Sequence, residues 1–397
     1  MGLPLGGDDW VAPEIPWEIQ IEILIRLPAK SLMRIYAVEF LAVIIDFSDR
    51  FSALESNHSS YQSSPINRYY CTAASTPRLY MSLMYTIPHE SVLLSLSSSS
   101  NKDKSLHPEL TMPGMGGRYM VVLRGLILQS VCNKARIHNP TTRQSITLPA
   151  VKSSIFVQGE PEKHVHYYFG HDPVLDQYKV VCIVTFFSGK YNKIITSEFW
   201  VLVLEAGGSW KRIEFDQPHL ANKQGLCING VLYYISRTLT IVTFDVRSEE
   251  FSTFQVPHSL ADPLTLIRAG FIEYGGKPAI FDHTKLVPMG LVYLWVLEDG
   301  GKWSNKSLVL QPRQMRLFHK NSIPLIVHGT TQNGEVIMAP YQLLSPYYIF
   351  YYHVEKNDLR KVRIRGIPDP DYWFGKPHLG MYFRIMDKSE SIMHLEI

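Results

Sequence analysis

The sequence predicts an α+β chain of more than one domain: a small N-terminal three-helix module, then an all-β domain of propeller type. Three observations carry this expectation. Apolar residues recur every four positions from Ile15 to Leu27, the spacing of one helix face. From about residue 118 the pattern changes to short β-branched or aromatic runs, punctuated by Gly, Asn, Asp or Pro. Within that second region a polar turn recurs after 106 and then 108 residues, which suits two blades of about 50 residues per interval.

Residues 1–14, rich in Gly, Pro and Asp, read as a loose N-terminus. The module spans 15–54. Pro16 suits a first helical turn, where its missing N–H costs nothing. Ile15, Ile19, Ile23, Leu24 and Leu27 form one apolar stripe, and Pro28 disfavours helix at Leu27 and so closes the segment. Ser31 caps a second helix running through Arg34 to Ile45, and Asp46–Phe51 fits a third turn. Residues 55–117 read as a linker with first strands. Arg78–Leu83 is a strand candidate, 97–104 is low-complexity, and Met115-Gly116-Gly117 reads as a flexible entry to the β domain.

Over 118–397 the strand candidates are Arg118–Leu123, Gly125–Ser130, Lys179–Phe187, Phe199–Leu204, Val231–Ser236, Thr240–Asp245, Leu291–Leu297, Glu335–Ala339 and Ile349–His353. Two internal patterns recur. Trp200-Val201-Leu202 leads through Gly207-Gly208 to Trp210, as Trp295-Val296-Leu297 leads through Gly300-Gly301 to Trp303. The turns beginning at Asn139, Asp245 and His353 each lead into a strand that closes near a proline. A sandwich or another barrel would also space its turns regularly and stays open as an alternative to the propeller.

Composition limits the function. With 46% hydrophobic and 19% charged residues the chain can bury a sizeable core, and a net charge of +3 without a Lys/Arg run makes nucleic acid an unlikely partner. The four cysteines are widely spaced, with no Cys-x-x-Cys, so no zinc site is expected. No secretory leader and no membrane-length apolar run are read, which places the protein in cytoplasm or nucleus with reduced thiols. No Gly-x-Gly-x-x-Gly, P-loop or Gly-x-Ser-x-Gly occurs. His164, His166 and His171 invite a metal reading, but no further ligand is fixed by spacing. Asp172, Asp176, Asp245, Asp282 and Asp299 could pair for acid–base chemistry, yet most sit where Asp satisfies its own turn backbone. Alternation of Tyr347, Tyr348, Phe350, Tyr351 and Tyr352 predicts that half face the core and half face outward. The four tryptophans named above are read as inter-strand packing.

Leu27-Pro28-Ala29-Lys30-Ser31-Leu32, after the acidic-apolar helix from Ile15-Pro16, resembles the signature of an F-box. The β region is similar to the F-box-associated domain of plant F-box proteins, a kelch-like domain. The resemblance rests on six stretches in the family's order. They are Asn139–Gln144 with Leu148-Pro149, Phe169–Val174, Asp176–Val180, Cys227–Tyr234, Phe244–Phe251 and Leu294–Asp299. The family implies a substrate receptor of an SCF-type ubiquitin ligase with no catalytic residues and no cofactor. In that role Ile15, Pro16, Ile19, Ile23, Leu24, Leu27, Pro28, Ser31, Leu32 and Arg34 dock a Skp-type adaptor and, through it, cullin. The β domain binds the protein to be ubiquitinated.

The sequence departs from the family after the second helix. Where the family continues valine, serine or cysteine, lysine, any residue, tryptophan, this chain has Val38-Glu39-Phe40-Leu41-Ala42. An indole lost from a core costs roughly 3–5 kcal/mol, which nearby Phe40 or Phe47 offsets in part. The departure leaves open a degenerate F-box module that no longer joins a ligase, and an enzyme built on a β-propeller stands as a second alternative.

Overall fold

In the computed structural model, the described residues are 79–85, 90–98, 105–117, 119–131, 133–156, 163–188, 193–221, 225–260, 262–318, 324–341, 345–367, 381–387, 393 and 395. They belong to one compact unit within 75–397 and form six four-stranded antiparallel sheets. Blade 2 comprises β4 (Tyr119–Leu123), β5 (Leu126–Val131), β6 (Lys134–Asn139) and β7 (Gln144–Thr147). Blade 3 comprises β8 (Lys163–Asp172), β9 (Gln177–Ser188), β10 (Lys193–Val203) and β11 (Lys211–Ile213). Blade 4 comprises β12 (Leu226–Ile228), β13 (Val231–Ile235), β14 (Thr240–Asp245) and β15 (Phe251–Gln255). Blade 5 comprises β16 (Gly270–Tyr274), β17 (Lys277–Asp282), β18 (Leu291–Leu297) and β19 (Trp303–Val309). Blade 6 comprises β20 (Leu325–Thr330), β21 (Glu335–Pro340), β22 (Tyr348–His353) and β23 (Asp358–Arg363).

Blade 1 is composite. Its outer three strands are β1 (Leu79–Tyr85), β2 (Ser91–Ser98) and β3 (Leu106–Pro113), and its inner strand is β24 (Met381–Asp387), paired with β1 along its whole length. The inner strands neighbour one another in the cycle β24, β4, β8, β12, β16, β20 and back to β24. The sheets therefore close into a six-bladed propeller. Each blade runs from inner to outer strand, so the hairpins joining strands one and two, and three and four, emerge at one end of the ring. The blade-to-blade crossovers emerge at the other.

This corrects the α+β multidomain expectation. The described chain is nearly all β, and its α-helical content is three short segments, α1 (Pro263–Arg268), α2 (Leu286–Met289) and α3 (Pro312–Met315). The three-helix module expected over 15–54 lies outside the described residues, so no F-box helix is part of the observed architecture.

Both faces of blades 2 to 5 are packed. Apolar clusters fill the contacts between blades 1 and 2, 2 and 3, 3 and 4, 4 and 5, and 5 and 6. A middle strand is thus buried on both sides and reads as a continuous apolar run, as in β9 from Val180 to Val184. The same geometry corrects the alternation expected around Tyr351. Tyr347, Phe350, Tyr351 and Tyr352 are all buried, and half-buried Tyr348 lies 4.0 Å beneath the Lys361 ammonium.

The entry to blade 2 is also corrected. Gly116 and Gly117 are buried and fixed: Ser82 Oγ donates to Gly117 O and accepts from Gly117 N, and Gln129 Nε2 donates to Gly116 O. A Cβ at Gly116 would stand 2.5 Å from Val92 O and 2.7 Å from Leu83 O, so this close backbone approach requires glycine.

Candidate interaction surface

The two internal patterns of the sequence mark two kinds of hairpin on the same end of the ring. In the turns starting at Asn139, Asp172, Asp245 and His353, the fifth residue is in the left-handed region: Arg143, Asp176, Glu249 and Asn357, with φ of 60, 51, 61 and 47°. The first residue of three of them caps its own turn. Asn139 Oδ1 accepts Thr141 and Thr142 N–H, Asp172 Oδ1 accepts Val174 N–H, and Asp245 Oδ1 accepts Arg247 and Ser248 N–H.

The tryptophan pattern joins blades. Trp210, just before the outer strand of blade 3, donates Nε1–H to Pro149 O, just past the outer strand of blade 2. Trp303 does the same from blade 5 to Gln255 O of blade 4. Related contacts continue around the rim. Phe215 of blade 3 stacks on Phe251 of blade 4 at 4.8 Å, Asn357 Nδ2 of blade 6 donates to Val309 O of blade 5, and Arg365 N donates to Leu106 O of blade 1. The end of one outer strand is held by the start of the next, so the tryptophans act between blades rather than only between strands.

The six stretches that suggested a family meet chiefly where blades 3 and 4 touch. Arg247 grips buried Asp172 with two hydrogen bonds, at 3.1 and 3.0 Å, and this holds the Asp172 carboxyl well below the usual carboxylate range. Glu249 bridges Lys179 at 2.7 Å and Lys211 at 2.8 Å. The His171 backbone N–H donates to Cys227 Sγ, and the His171 ring lies 2.8 Å from Asp176. Gly170 fits here because a Cβ would come within 2.7 Å of Val246 Cγ2. These signature residues interlock two blades, and their conformations are fixed by one another.

Of the titratable residues singled out in the sequence, His171 meets Asp176, and Asp172 and Asp245 both bind Arg247. His164, His166 and His171 all lie on β8, and no group of three potential metal ligands occurs among the described residues. His166 is pushed down to about 4, by burial first and then by His164 and His219. Asp282 accepts the Thr284 N–H and hydroxyl, and Asp299 lies 3.7 Å from Lys277. Burial raises the thiols of Cys182 and Cys227, which are free. Among the described residues no helix is long and apolar enough to cross a membrane. The predicted adaptor-docking residues, Ile15, Pro16, Ile19, Ile23, Leu24, Leu27, Pro28, Ser31, Leu32 and Arg34, lie outside the described residues.

One concave feature with a mixed lining stands on blade 5, which the sequence reading missed as a site. A cavity of about 280 Å³ is lined by Leu294 and Val296 of β18, by Tyr274 and Lys277 beside the inner hairpin, and by Ser304 and Lys306 of β19. Lys277 is neutralised by Glu298 at 2.5 Å and by Asp299, which leaves Lys306 as the rim cation with no ionic partner among the described residues. The signal available in the sequence was the polar run Ser304–Ser307 between Trp303 and Leu308.

Residues 82–389 match the family described as the F-box associated beta propeller domain. The F-box protein At5g62660 of Arabidopsis thaliana is 56% identical over 360 residues, covering 87% of this chain and 89% of that protein. The F-box/LRR-repeat protein At2g40920 of the same plant is 44% identical, covering 95% and 86%. Its F-box/kelch-repeat protein At4g19930 is 36% identical, covering 90% and 86%. With the propeller in place and these matches spanning most of both chains, the protein belongs to the plant F-box proteins that carry an F-box-associated β-propeller domain.

Proposed function

We propose that this chain is the substrate-recognition subunit of an SCF-type ubiquitin ligase, acting in cytoplasm or nucleus. The supporting observation is the family membership of a rigid propeller preceded in sequence by Leu27-Pro28-Ala29-Lys30-Ser31-Leu32. In this reading the apolar stripe Ile15, Ile19, Ile23, Leu24 and Leu27 seats in a groove of a Skp-type adaptor, which links to cullin. Lys30, Ser31 and Arg34 supply the polar rim. The propeller holds the target beside a ubiquitin-charged enzyme and raises its effective concentration there. In this reading the chain performs no chemistry, in keeping with carboxylates that are tied into turns or ion pairs.

Copurification with a Skp-type adaptor tests the reading. The wild-type chain retains the adaptor, and Leu27→Asp, or Pro28→Ala with Leu32→Ala, abolishes retention while the propeller's thermal transition stays in place. A folded wild-type chain that fails to bind the adaptor would instead support a module separated from the ligase by Glu39–Ala42, the part that departs from the family.

A further inference from the structure

We propose that the outer edge of blade 5 is a docking strand for an extended segment of the target protein, a segment with an acidic residue two positions from an apolar one. The inference deepens the receptor reading and rests on it. It comes from the register of β19. Gly290 O accepts Leu310 N–H and Lys302 O accepts Glu298 N–H, and pairing between these points is unbroken from Leu291↔Val309 to Leu297↔Trp303. Even-numbered residues of β19 therefore direct their backbone groups to β18, and Trp303, Asn305, Ser307 and Val309 direct theirs outward. Val309 O is taken by Asn357 of blade 6. The remaining outward positions, 303 to 307, present a short strand edge, and residues 304–307 are exposed.

The blade 5 cavity lies on the same strand. The side chains of Ser304 and Lys306 share a sheet face with Val296 and Leu294, their cross-strand partners. A chain added to the edge as a fifth strand would direct alternate side chains to that face, where the cavity opens. The Leu294–Val296 floor fits an apolar side chain. Lys306, the rim cation whose neighbour Lys277 is already matched by Glu298 and Asp299, fits a carboxylate. Backbone pairing supplies affinity, and the two side-chain positions supply selectivity.

The test uses the full chain and a phage-displayed library of random peptides of about eight residues. Selected peptides are synthesised with a fluorophore and titrated by anisotropy. The expected result is a set sharing an acidic residue two positions from an apolar one, so that both face the cavity. Ser307→Pro removes an outward N–H while leaving pairing with β18 intact, so it weakens binding about tenfold or more without moving the thermal transition. Lys306→Glu, a surface change that leaves the backbone alone, shifts the selected peptides toward basic residues. Peptides that bind Ser307→Pro as tightly as wild type, a library that yields none, or an edge occupied by a second copy of the chain in a Ser307→Pro-sensitive dimer would each overturn the inference. The adaptor copurification is unaffected by these outcomes, so loss of the docking edge and loss of the receptor reading are told apart.

Discussion

Buried histidines are expected to lower the stability of this propeller in acid, and His138 gives the most direct measure. It lies in β6 of blade 2, is 2% exposed, and pairs through Nε2 with Gln129 Oε1. Gln129 in turn donates to Gly116 O, which fixes the glutamine's orientation and makes His138 Nε2 the protonated nitrogen. The other ring nitrogen, Nδ1, is buried without a partner in the structure. Charging the ring would place a second proton there, in a buried site near Arg136. Burial first, then Arg136, push the group from 6.5 down to about 4. The folded pKa lies below the unfolded one, so the unfolded state binds the proton first as pH falls. The contribution is fully present above pH 6.5 and is lost on descending toward pH 4. At about 1.4 kcal/mol per pH unit, the full difference is about 3 kcal/mol. Urea unfolding of the wild type between pH 8 and 4 should show stability falling through this window. His138→Gln removes one titrating group and should make the decline shallower by close to one proton. An unchanged slope in His138→Gln would refute the assignment of a neutral buried imidazole.

Packing sets two further outcomes. Gly116→Ala should destabilise the propeller by about 1–3 kcal/mol, read as a lower urea midpoint, because its Cβ meets two backbone carbonyls that have no room to retreat. Trp303→Phe keeps an aromatic ring but loses the indole donor to Gln255 O; a loss of about 1 kcal/mol in thermal unfolding is expected, and no loss would show that the contact between blades 4 and 5 adds nothing.

What the sequence could show depended on where a strand sits in its blade. The runs read as strands, such as Lys179–Phe187, Thr240–Asp245 and Ile349–His353, are mostly second and third strands, buried on both faces and therefore continuously apolar. Outer strands like β19, with four consecutive exposed residues, and short inner strands like β12 carry no such run and went unread. The turns were legible because their chemistry is local: Asn139 and Asp245 cap backbone within three residues. The tryptophan pattern was visible, but its meaning was not, since Trp210 and Pro149 are 61 positions apart. The alternation rule failed at Tyr351 because it assumes a sheet with one wet face, and the middle of a propeller blade has none. Gly116-Gly117 was misread for a similar reason: glycines that permit motion in isolation here permit contact. The blade 5 cavity left only a polar run as its trace, because its floor and rim come from strands folded together across the blade.

The pairing of β24 with β1 also has a consequence during synthesis. Pro113 ends the outer part of blade 1, and Met381 begins the strand that completes it. At ribosomal rates of about 5–20 residues per second, roughly a quarter of a minute to a minute passes between them. Through that interval the inner edge of β1 has no inner strand, although Leu79, Met81 and Leu83 are fully buried in the finished ring. Blades 2 to 5 can assemble as they emerge, each against the one before. The first-made strands must instead wait, and they are the part of the nascent chain with the greatest need of chaperone cover.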